Sequence, residues 1–296
     1  MPGGLKLLLA LAAAYSAIVL LFWSQQERLL FYPRANATAA TQYLTPFVWQ
    51  TQDASGRRTG WFIPADEPQR YPLTIYFGGN AEDVARTAVT GLPMRQVLFV
   101  NYAGYGDSSG APSEAQLLAD ALQVYDAAAT ALPHNGQILA MGRSLGSGVA
   151  TFLATQRPIA GVVLVTPYDS IAAVAKGHYP WLPIDALLRH RFDSAARAAG
   201  LAMPALILSA GRDTVVPPAH AEALAAAWAG PVDRQHFDAA DHGNISIQPG
   251  YAEAIQAFEA RYVTPSLAAA LGAVPTGQFH GQFIHLGLAD PADLRR

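Results

Sequence analysis

The chain has 296 residues, of which 51% are hydrophobic and 14% are charged, and its formal net charge is −3. This length suits one large α/β domain or two small ones, and the low charge argues against intrinsic disorder. Cysteine is absent, which excludes disulfides, thiolate catalysis and cysteine zinc sites. No basic block is present, so nucleic acid is not expected as a partner.

The N-terminal segment predicts a membrane helix. Residues 7–23, LLLALAAAYSAIVLLFW, contain no charged side chain. A helix over residues 5–23 would be about 28 Å long, close to the ~30 Å core of a bilayer. Lys6 gives the segment a positive start, and Trp23 would lie at the far interface. We therefore predict a single-pass anchor over residues 1–24, with the rest of the chain on the extracytoplasmic side.

Alternatives for this segment stay open. Ala14-Tyr15-Ser16-Ala17 provides a small-residue cleavage site, so a cleaved signal sequence would release an exported soluble protein. Cleavage there leaves the apolar residues 18–23 at the new N-terminus, which favours the uncleaved anchor. A buried helix of a soluble protein is the third alternative. Arg28 and Arg34 flank the far end of the segment, so its orientation also stays open.

The next part of the chain predicts strands. Residues 25–40 predict a polar, alanine-rich connector, and apolar residues on both sides of residues 54–56 predict a β-hairpin. Short continuous apolar runs, which are typical of strands buried on both faces, occupy residues 73–77, 97–100, 138–141, 162–165 and 205–208.

Helices are predicted between these runs, over residues 113–131, 147–156, 219–229 and 251–262. The first has Ser113 as its N-cap, with Gln116 three residues later. Strands that alternate with helices predict a mostly parallel sheet with helices on both faces. Ligands of such sheets bind at the carboxyl ends of the strands. Residues 263–296 are rich in alanine, glycine and proline and predict a C-terminal extension with no assigned function.

One motif stands at such a strand end. It follows the run at residues 138–141 and opens a helix, and it reads Gly142-Arg143-Ser144-Leu145-Gly146. A Gly-x-Ser-x-Gly pattern between strand and helix is typical of a nucleophilic serine on a sharp turn. The glycines allow close approach of strand and helix, so that the serine oxygen projects above the sheet. We predict Ser144 as the nucleophile; a glycine-rich turn without chemistry is the alternative.

A serine hydroxyl needs a base to take its proton. His242 follows a predicted strand at residues 234–237, and its polar loop can carry an imidazole over the sheet. Asp213 comes just after the strand at residues 205–208 and would orient His242 and stabilise its cationic form. Asp169, just past another predicted strand, is the competing acid. Asp241, adjacent to His242, is predicted to be a turn residue.

The other histidines are assigned no catalytic role, and their spacing indicates no metal site. We expect no metal and no cofactor. His236 is predicted to lie in a strand, and His280 and His285 lie in the C-terminal extension. The rest are predicted to be surface or capping residues: His134, His178, His190 and His220.

An acyl-transfer intermediate needs two N–H donors for its oxyanion. The backbone N–H of Leu145 follows the nucleophile at a helix start and is predicted to be one. The second is expected after the strand at residues 73–77, where Gly78 and Gly79 allow the backbone to approach the substrate. We predict the N–H of Asn80 as this donor and Gly79 as a substrate-contacting residue.

Several motifs in order resemble the Bem46-like branch of the α/β-hydrolase superfamily, with its ABHD13- and ABHD17-like proteins. The resemblance covers residues 29–262. The motifs that carry it are Leu30-Phe31-Tyr32-Pro33, Tyr76-Phe77-Gly78-Gly79-Asn80-Ala81, the NYAGYGDSSG segment at residues 101–110, Gly142-Arg143-Ser144-Leu145-Gly146, Arg191-Phe192-Asp193-Ser194, Gly211-Arg212-Asp213 and Asp241-His242-Gly243-Asn244.

The resemblance implies an α/β-hydrolase fold: an eight-stranded, mostly parallel sheet with helices on both faces and a catalytic domain over residues 25–262. Gly78 departs from the family pattern, which usually has a histidine that braces the loop. The segment at residues 176–202 is too short for a large lid and predicts a small cap. Within it, Trp181 and Leu182 are expected either to contact an apolar acyl group or to pack against the sheet.

The first functional hypothesis is a membrane-anchored serine hydrolase. It would cleave a carboxylic ester or thioester of a small-molecule or lipid-like substrate through an acyl-enzyme intermediate. One alternative is a non-catalytic α/β-hydrolase-fold protein that binds a lipid or a partner. A serine peptidase is the other.

Overall fold

A computed structural model of the protein describes residues 3–54 and 56–263. Its strands are β1 (Val48–Asp53), β2 (Gly56–Ile63), β3 (Leu73–Phe77), β4 (Val97–Val100), β5 (Ile138–Arg143), β6 (Gly161–Val165), β7 (Ala205–Ala210) and β8 (Val232–Phe237). They form one eight-stranded sheet in the order β1-β2-β4-β3-β5-β6-β7-β8. β2 is antiparallel to both of its neighbours, and every other neighbouring pair is parallel.

The predicted strands are therefore confirmed, including the hairpin formed by β1 and β2. The helices are α1 (Gly3–Leu30), α2 (Thr38–Tyr43), α3 (Val84–Thr90), α4 (Glu114–Ala131), α5 (Leu145–Gln156), α6 (Ile171–His178), α7 (Ile184–Leu187), α8 (Ser194–Ala198), α9 (Pro218–Ala227) and α10 (Tyr251–Tyr262). The cap predicted at the start of α4 is confirmed, because Ser113 accepts a 3.1 Å hydrogen bond from the backbone N–H of Gln116.

The core lies on both faces of the sheet. Leu73, Ile75 and Phe77 of β3 pack with residues of α4, α5 and α9 on one face. Tyr76, on the alternate side of the same strand, packs with residues of α3 and α10 on the other face. Successive side chains of a strand point to opposite faces, so β3, whose five side chains are all buried, is covered on both sides. This is the α/β-hydrolase architecture predicted from the sequence.

The N-terminal helix differs from the prediction at its C-terminal end. α1 continues to Leu30, and α2 occupies part of the segment predicted as a connector, so the connector at residues 25–40 was wrong. Tertiary contacts explain the longer helix. The side chain of Gln26 is buried, with its Nε2 donating to the carbonyl of Leu187 and its Oε1 accepting from the N–H of Arg189.

Among the described residues, α1 is the one helix long and apolar enough to cross a membrane. Its 28 residues extend over about 42 Å, which exceeds a ~30 Å bilayer core. The first part of α1 is exposed, whereas Val19 and Phe22 pack against the segment between β6 and β7. The extension predicted for residues 263–296 lies outside the described residues, apart from Val263.

The segment between β6 and β7 forms the small cap that was predicted. We define the cap as residues 171–189, which comprise α6, the loop at residues 179–183, α7 and the two residues after it. The predicted bounds, residues 176–202, also took in α8, whose Ala198 belongs to the main core. The buried residues of the cap are Ala172, Leu182 and Ile184, and α1 supplies part of the surface that covers them. The cap therefore packs against α1.

Candidate active site

The serine motif forms a strained turn between β5 and α5. Ser144 has φ +49° and ψ −116°, in a region that side-chain-bearing residues rarely adopt. A methyl group on Gly142 would lie 2.2 Å from the carbonyl oxygen of Gly146, and one on Gly146 would lie 2.0 Å from that of Phe77. The two glycines are therefore required by backbone contact, as the motif predicts.

The structure brings together three of the predicted side chains. The Oγ of Ser144 lies 3.0 Å from the Nε2 of His242. The Nδ1 of His242 lies 2.6 Å from the Oδ2 of Asp213. A carboxylate accepts hydrogen bonds, so it favours the tautomer with the proton on Nδ1. The Nε2 atom is then free to accept the hydroxyl proton of Ser144.

The carboxylate of Asp213 is held in a fixed position. Its side chain is 1% exposed, and its Oδ1 accepts hydrogen bonds of 2.8 Å from the backbone N–H groups of Val215 and Val216. The loop after β7 thus satisfies one oxygen, while the other faces His242. A buried acceptor of this kind keeps the imidazole in one orientation.

The competing acid is placed elsewhere. The Oδ1 of Asp169 lies 2.8 Å from the Nδ1 of His220, so Asp169 pairs with a different histidine. Asp241 is the turn residue that was predicted, since its Oδ1 accepts from the N–H groups of Gly243 and Asn244.

The loop after β3 lies beside the serine. A methyl group on Gly79 would stand 3.7 Å from the Cβ of Ser144. The side chain of Asn80 is clamped: its Nδ2 donates to the carbonyl of Leu30 at 2.7 Å, and its Oδ1 accepts from the N–H of Tyr32 and from the hydroxyl of Tyr105. Burial raises the pKa of Tyr105 to about 12, so this hydroxyl stays protonated and remains a donor.

The other predicted oxyanion donor, the backbone N–H of Leu145, belongs to the first residue of α5. The first N–H groups of a helix have no partner within it and are available to an anion.

Glu82 is a site residue that the sequence reasoning missed. Its Oε2 accepts a 2.6 Å hydrogen bond from the N–H of Gly79, and its Oε1 accepts from the hydroxyls of Tyr76 and Thr87. The side chain of Glu82 also passes close to Gly78, where a methyl group would lie 3.3 Å from its carboxyl carbon. A carboxylate therefore braces the loop after β3, and the small residue at position 78 makes room for it.

Arg143 is the second missed residue. Its Nη1 lies 3.3 Å from the Oε2 of Glu82, and its Nη2 donates a 2.8 Å hydrogen bond to the carbonyl of His242. Burial alone would lower the pKa of Arg143, but the carboxylate of Glu82 raises it above its ordinary value. Arg143 therefore carries a permanent positive charge between the loop that contains Glu82 and the loop that contains His242. The signal available in the sequence was its position inside the serine motif, next to the nucleophile.

The two cap residues predicted to contact substrate occupy different places. Leu182 is buried and lines a cavity of about 180 Å³ between the cap and α1. Trp181 is half exposed, and its ring packs edge-on to that of Phe22 with the centroids 5.9 Å apart. Both residues pack against α1. Packing against the sheet was one of the two predicted alternatives for them.

Two of the remaining histidines are placed as predicted. His236 lies in β8, as predicted. His190 was predicted to be a surface or capping residue. It is buried, with its ring edge-on to that of Phe31, and its Nδ1 accepts a 3.3 Å hydrogen bond from the backbone N–H of Glu114 at the start of α4, so it is a capping residue. Within the part of the chain that the structure describes, no cluster of three or more histidine, aspartate or glutamate side chains has the geometry to hold a metal ion.

No family model matches the chain. The chain is 35% identical over 229 residues to the uncharacterized protein Rv2307c of Mycobacterium tuberculosis. The match covers 74% of this chain and 81% of that protein. The chain is also 29% identical over 209 residues to the lysophosphatidylserine lipase ABHD12 of Rattus norvegicus, covering 62% of this chain and 52% of the relative. The chain thus spans about half the length of that lipase.

Solved structures share the fold. The esterase Pf2001 of Pyrococcus furiosus superimposes with a TM-score of 0.61 at 16% identity, over 78% of this chain and 97% of the esterase. An α/β-hydrolase of Vibrio vulnificus superimposes with a TM-score of 0.59 at 20% identity, over 75% of this chain and 86% of that one. The fold, the serine motif and the similarity to Rv2307c together show that this chain belongs to the Rv2307c family within the α/β-hydrolase superfamily.

Proposed function

We propose that the protein is a membrane-anchored serine hydrolase that cleaves a carboxylic ester or thioester through an acyl-enzyme. The observation that carries this proposal is the continuous chain of hydrogen bonds from Ser144 through His242 to Asp213, with distances of 3.0 and 2.6 Å. These three groups serve as nucleophile, base and orienting acid in serine hydrolases, and their order along this chain is typical of the α/β-hydrolase fold.

The proposed reaction has two halves. The Oγ of Ser144 attacks the carbonyl carbon while its proton passes to the Nε2 of His242. The tetrahedral intermediate collapses, and the leaving group takes that proton from His242, which leaves an acyl-serine. Water then attacks the acyl-serine, again with His242 as the base, and releases the acid. Asp213 orients His242 and stabilises its charged form in both halves.

The oxyanion is assigned to the backbone N–H groups of Leu145 and Asn80. The clamp on the side chain of Asn80 and the bond from Gly79 to Glu82 support this assignment, because both hold the loop in place before substrate binds. Donors that are fixed in advance stabilise the developing charge without reorganisation. Gly79 would face the substrate, since its lack of a side chain leaves space beside Ser144.

The substrate is proposed to be a small-molecule or lipid-like acyl ester. Similarity to a lysophosphatidylserine lipase supports this class. Leu182 and Trp181 are proposed as substrate-side residues of the cap. We assign residues 1–24 to the anchor, residues 25–262 to the catalytic domain on the extracytoplasmic side, and the chain to the Bem46-like branch of the superfamily.

Hydrolysis of p-nitrophenyl esters by the full chain in detergent micelles tests the proposal. The wild type should hydrolyse p-nitrophenyl acetate or decanoate, and Ser144→Ala should lose at least 1,000-fold in kcat/KM, in line with the ~10⁶-fold loss on removal of a nucleophilic serine. Ser147→Ala is the matched control, because among the described residues the hydroxyl of this neighbouring serine hydrogen-bonds to the carbonyl of Ser144 alone. Equal activity of Ser144→Ala and the wild type would refute the proposal. Acyl-chain binding without hydrolysis of any ester would favour the non-catalytic alternative.

A further inference from the structure

An apolar cavity of about 180 Å³ lies between the C-terminal part of α1 and the cap. Its walls include Phe22, Leu29 and Leu30 from α1 and Ala175, Leu182 and Leu188 from the cap. Gln26 also lines it, but both ends of its amide are engaged by the backbone: its Nε2 bonds the carbonyls of Trp23 and Leu187, and its Oε1 accepts from Arg189. The cavity therefore presents mainly hydrocarbon to a ligand.

One end of the cavity lies beside the loop after β3, which is proposed to hold the oxyanion. Leu30 and Tyr32 line the cavity, and both are bonded through their backbones to the side chain of Asn80. Asn80 follows Gly79, which lies against Ser144. The cavity therefore offers an apolar space to the acyl chain of an ester whose carbonyl is held at Ser144. This space begins beside the loop that is proposed to hold the carbonyl oxygen.

The other side of the cavity is closed by contacts between the cap and the apolar part of α1 that is proposed to lie in the bilayer. The rings of Tyr179 and Trp181 pack edge-on to Phe22, and the hydroxyl of Tyr15 donates to the carbonyl of Trp181 at 3.0 Å. Tyr15 precedes Trp23 by eight residues, a distance of about 12 Å along a helix. With Trp23 at the membrane interface, the contact with Tyr15 would place the loop at residues 179–183 about 12 Å inside the apolar layer.

From these contacts we infer that α1 is one wall of an acyl-chain pocket, so that the anchor forms part of the substrate site. The occupant is the hydrocarbon chain of a membrane-resident ester, which enters from the bilayer with its carbonyl at Ser144. The mainly apolar lining fits an alkyl chain and offers no counter-charge to an ionic group. This inference rests on the proposed function, because it uses Ser144 as the reacting group.

Chain-length selectivity tests the inference with the full chain in phosphatidylcholine vesicles. Ala175→Phe fills the cavity from the cap, and Leu29→Trp fills it from α1. Leu21→Trp is the matched control, since Leu21 lies on the same helix, is 58% exposed and does not line the cavity. We expect each filling variant to lose at least tenfold in kcat/KM for p-nitrophenyl decanoate, with less than a twofold change for p-nitrophenyl acetate. The control should change neither value.

If the ratio of kcat/KM for decanoate to kcat/KM for acetate is unchanged in both filling variants, the inference is overturned. This holds whether both values stay at the wild-type level or fall equally. A second measurement keeps the pocket separate from the catalytic proposal. Ser144→Ala should be labelled by a diazirine-bearing decanoic acid on peptides of residues 22–30 or 171–188. Unlabelled decanoate should compete, and adding Ala175→Phe should reduce the labelling at least fivefold. If the wild type hydrolyses neither ester but this labelling occurs, the catalytic proposal fails and the pocket stands; absent or non-competed labelling overturns the pocket.

Discussion

Arg143 joins the turn that carries the serine to the loop that carries the histidine. Its Nη2 donates a 2.8 Å hydrogen bond to the backbone carbonyl of His242, and its Nη1 contacts the carboxylate of Glu82. Glu82 in turn accepts from the N–H of Gly79. Three segments that are far apart in sequence are thus tied together by one partly buried ion pair, whose members are 25% and 8% exposed.

Arg143→Gln should therefore lower kcat by about 10- to 100-fold with little change in KM, because a displaced base costs rate in proportion to its misplacement. Glu82→Gln should have a similar effect through the loop at Gly79. Steady-state hydrolysis of p-nitrophenyl acetate measures both. Arg157→Gln is the control, since Arg157 pairs with Asp126 on the surface. Wild-type kcat in both site variants would contradict the bracing role.

Replacing the two candidate acids separately should give unequal results. Asp213→Asn should reduce kcat by about 10³- to 10⁴-fold, because an amide at this position favours the wrong tautomer of His242. Asp169→Asn should change kcat by less than about threefold, since Asp169 pairs with His220. Ester hydrolysis at constant pH compares them. A larger loss for Asp169→Asn would transfer the orienting role to that residue.

Introducing at position 78 the histidine of the Bem46-like pattern should destabilise this protein. A side chain there would begin 2.9 Å from the Cγ2 of Val84 and would crowd the carboxylate of Glu82. We expect Gly78→His to lower the free energy of unfolding by about 1–3 kcal/mol through overpacking. Thermal unfolding in detergent measures it, with Gly177→His as the control because position 177 has open space. An unchanged or raised melting temperature for Gly78→His would mean that the loop does not depend on the small residue.

A buried acid predicts a pH effect on stability. Burial raises the pKa of Glu259 from its ordinary 4.5 to about 7. The folded protein then binds more protons than the unfolded chain between these pH values, so the free energy of unfolding falls as pH rises through this window. Glu259→Gln should match the wild type near pH 4.5 and be more stable by about 1–3 kcal/mol at pH 8. Denaturant unfolding at both pH values tests this, and an equal difference between the two proteins at both would contradict it.

Much of the fold was predictable because it depends on local patterns. The strand at residues 162–165 is wholly apolar and the one at residues 73–77 is apolar except for Thr74, and Gly142 and Gly146 mark a turn that only glycine permits. The end of α1 was not predictable in this way. Residues 25–30 are polar enough to suggest a connector, and they stay helical because Gln26 is bonded to the cap, more than 160 positions away in sequence.

Part of the candidate site was also predictable from the sequence. Ser144, Asp213 and His242 each stand at a strand end, where the topology of a parallel sheet makes such residues neighbours. The link between Glu82 and Arg143 depends on side-chain reach across two loops, which no spacing in the sequence expresses. The pairing of Asp169 with His220 likewise depends on how α9 packs, so the sequence left both acids open.

Labelling with a fluorophosphonate tests the central claim most directly. Attack by the Oγ of an activated serine displaces fluoride and leaves a phosphonyl-serine that mass spectrometry can locate. The full-length wild type should carry the label on the peptide that contains Ser144, His242→Ala should label at least 100-fold more slowly because the hydroxyl has lost its base, and Ser144→Ala should not be labelled. Labelling of Ser144→Ala at the wild-type rate, or a label found on another residue, would contradict the assignment of Ser144 as the nucleophile.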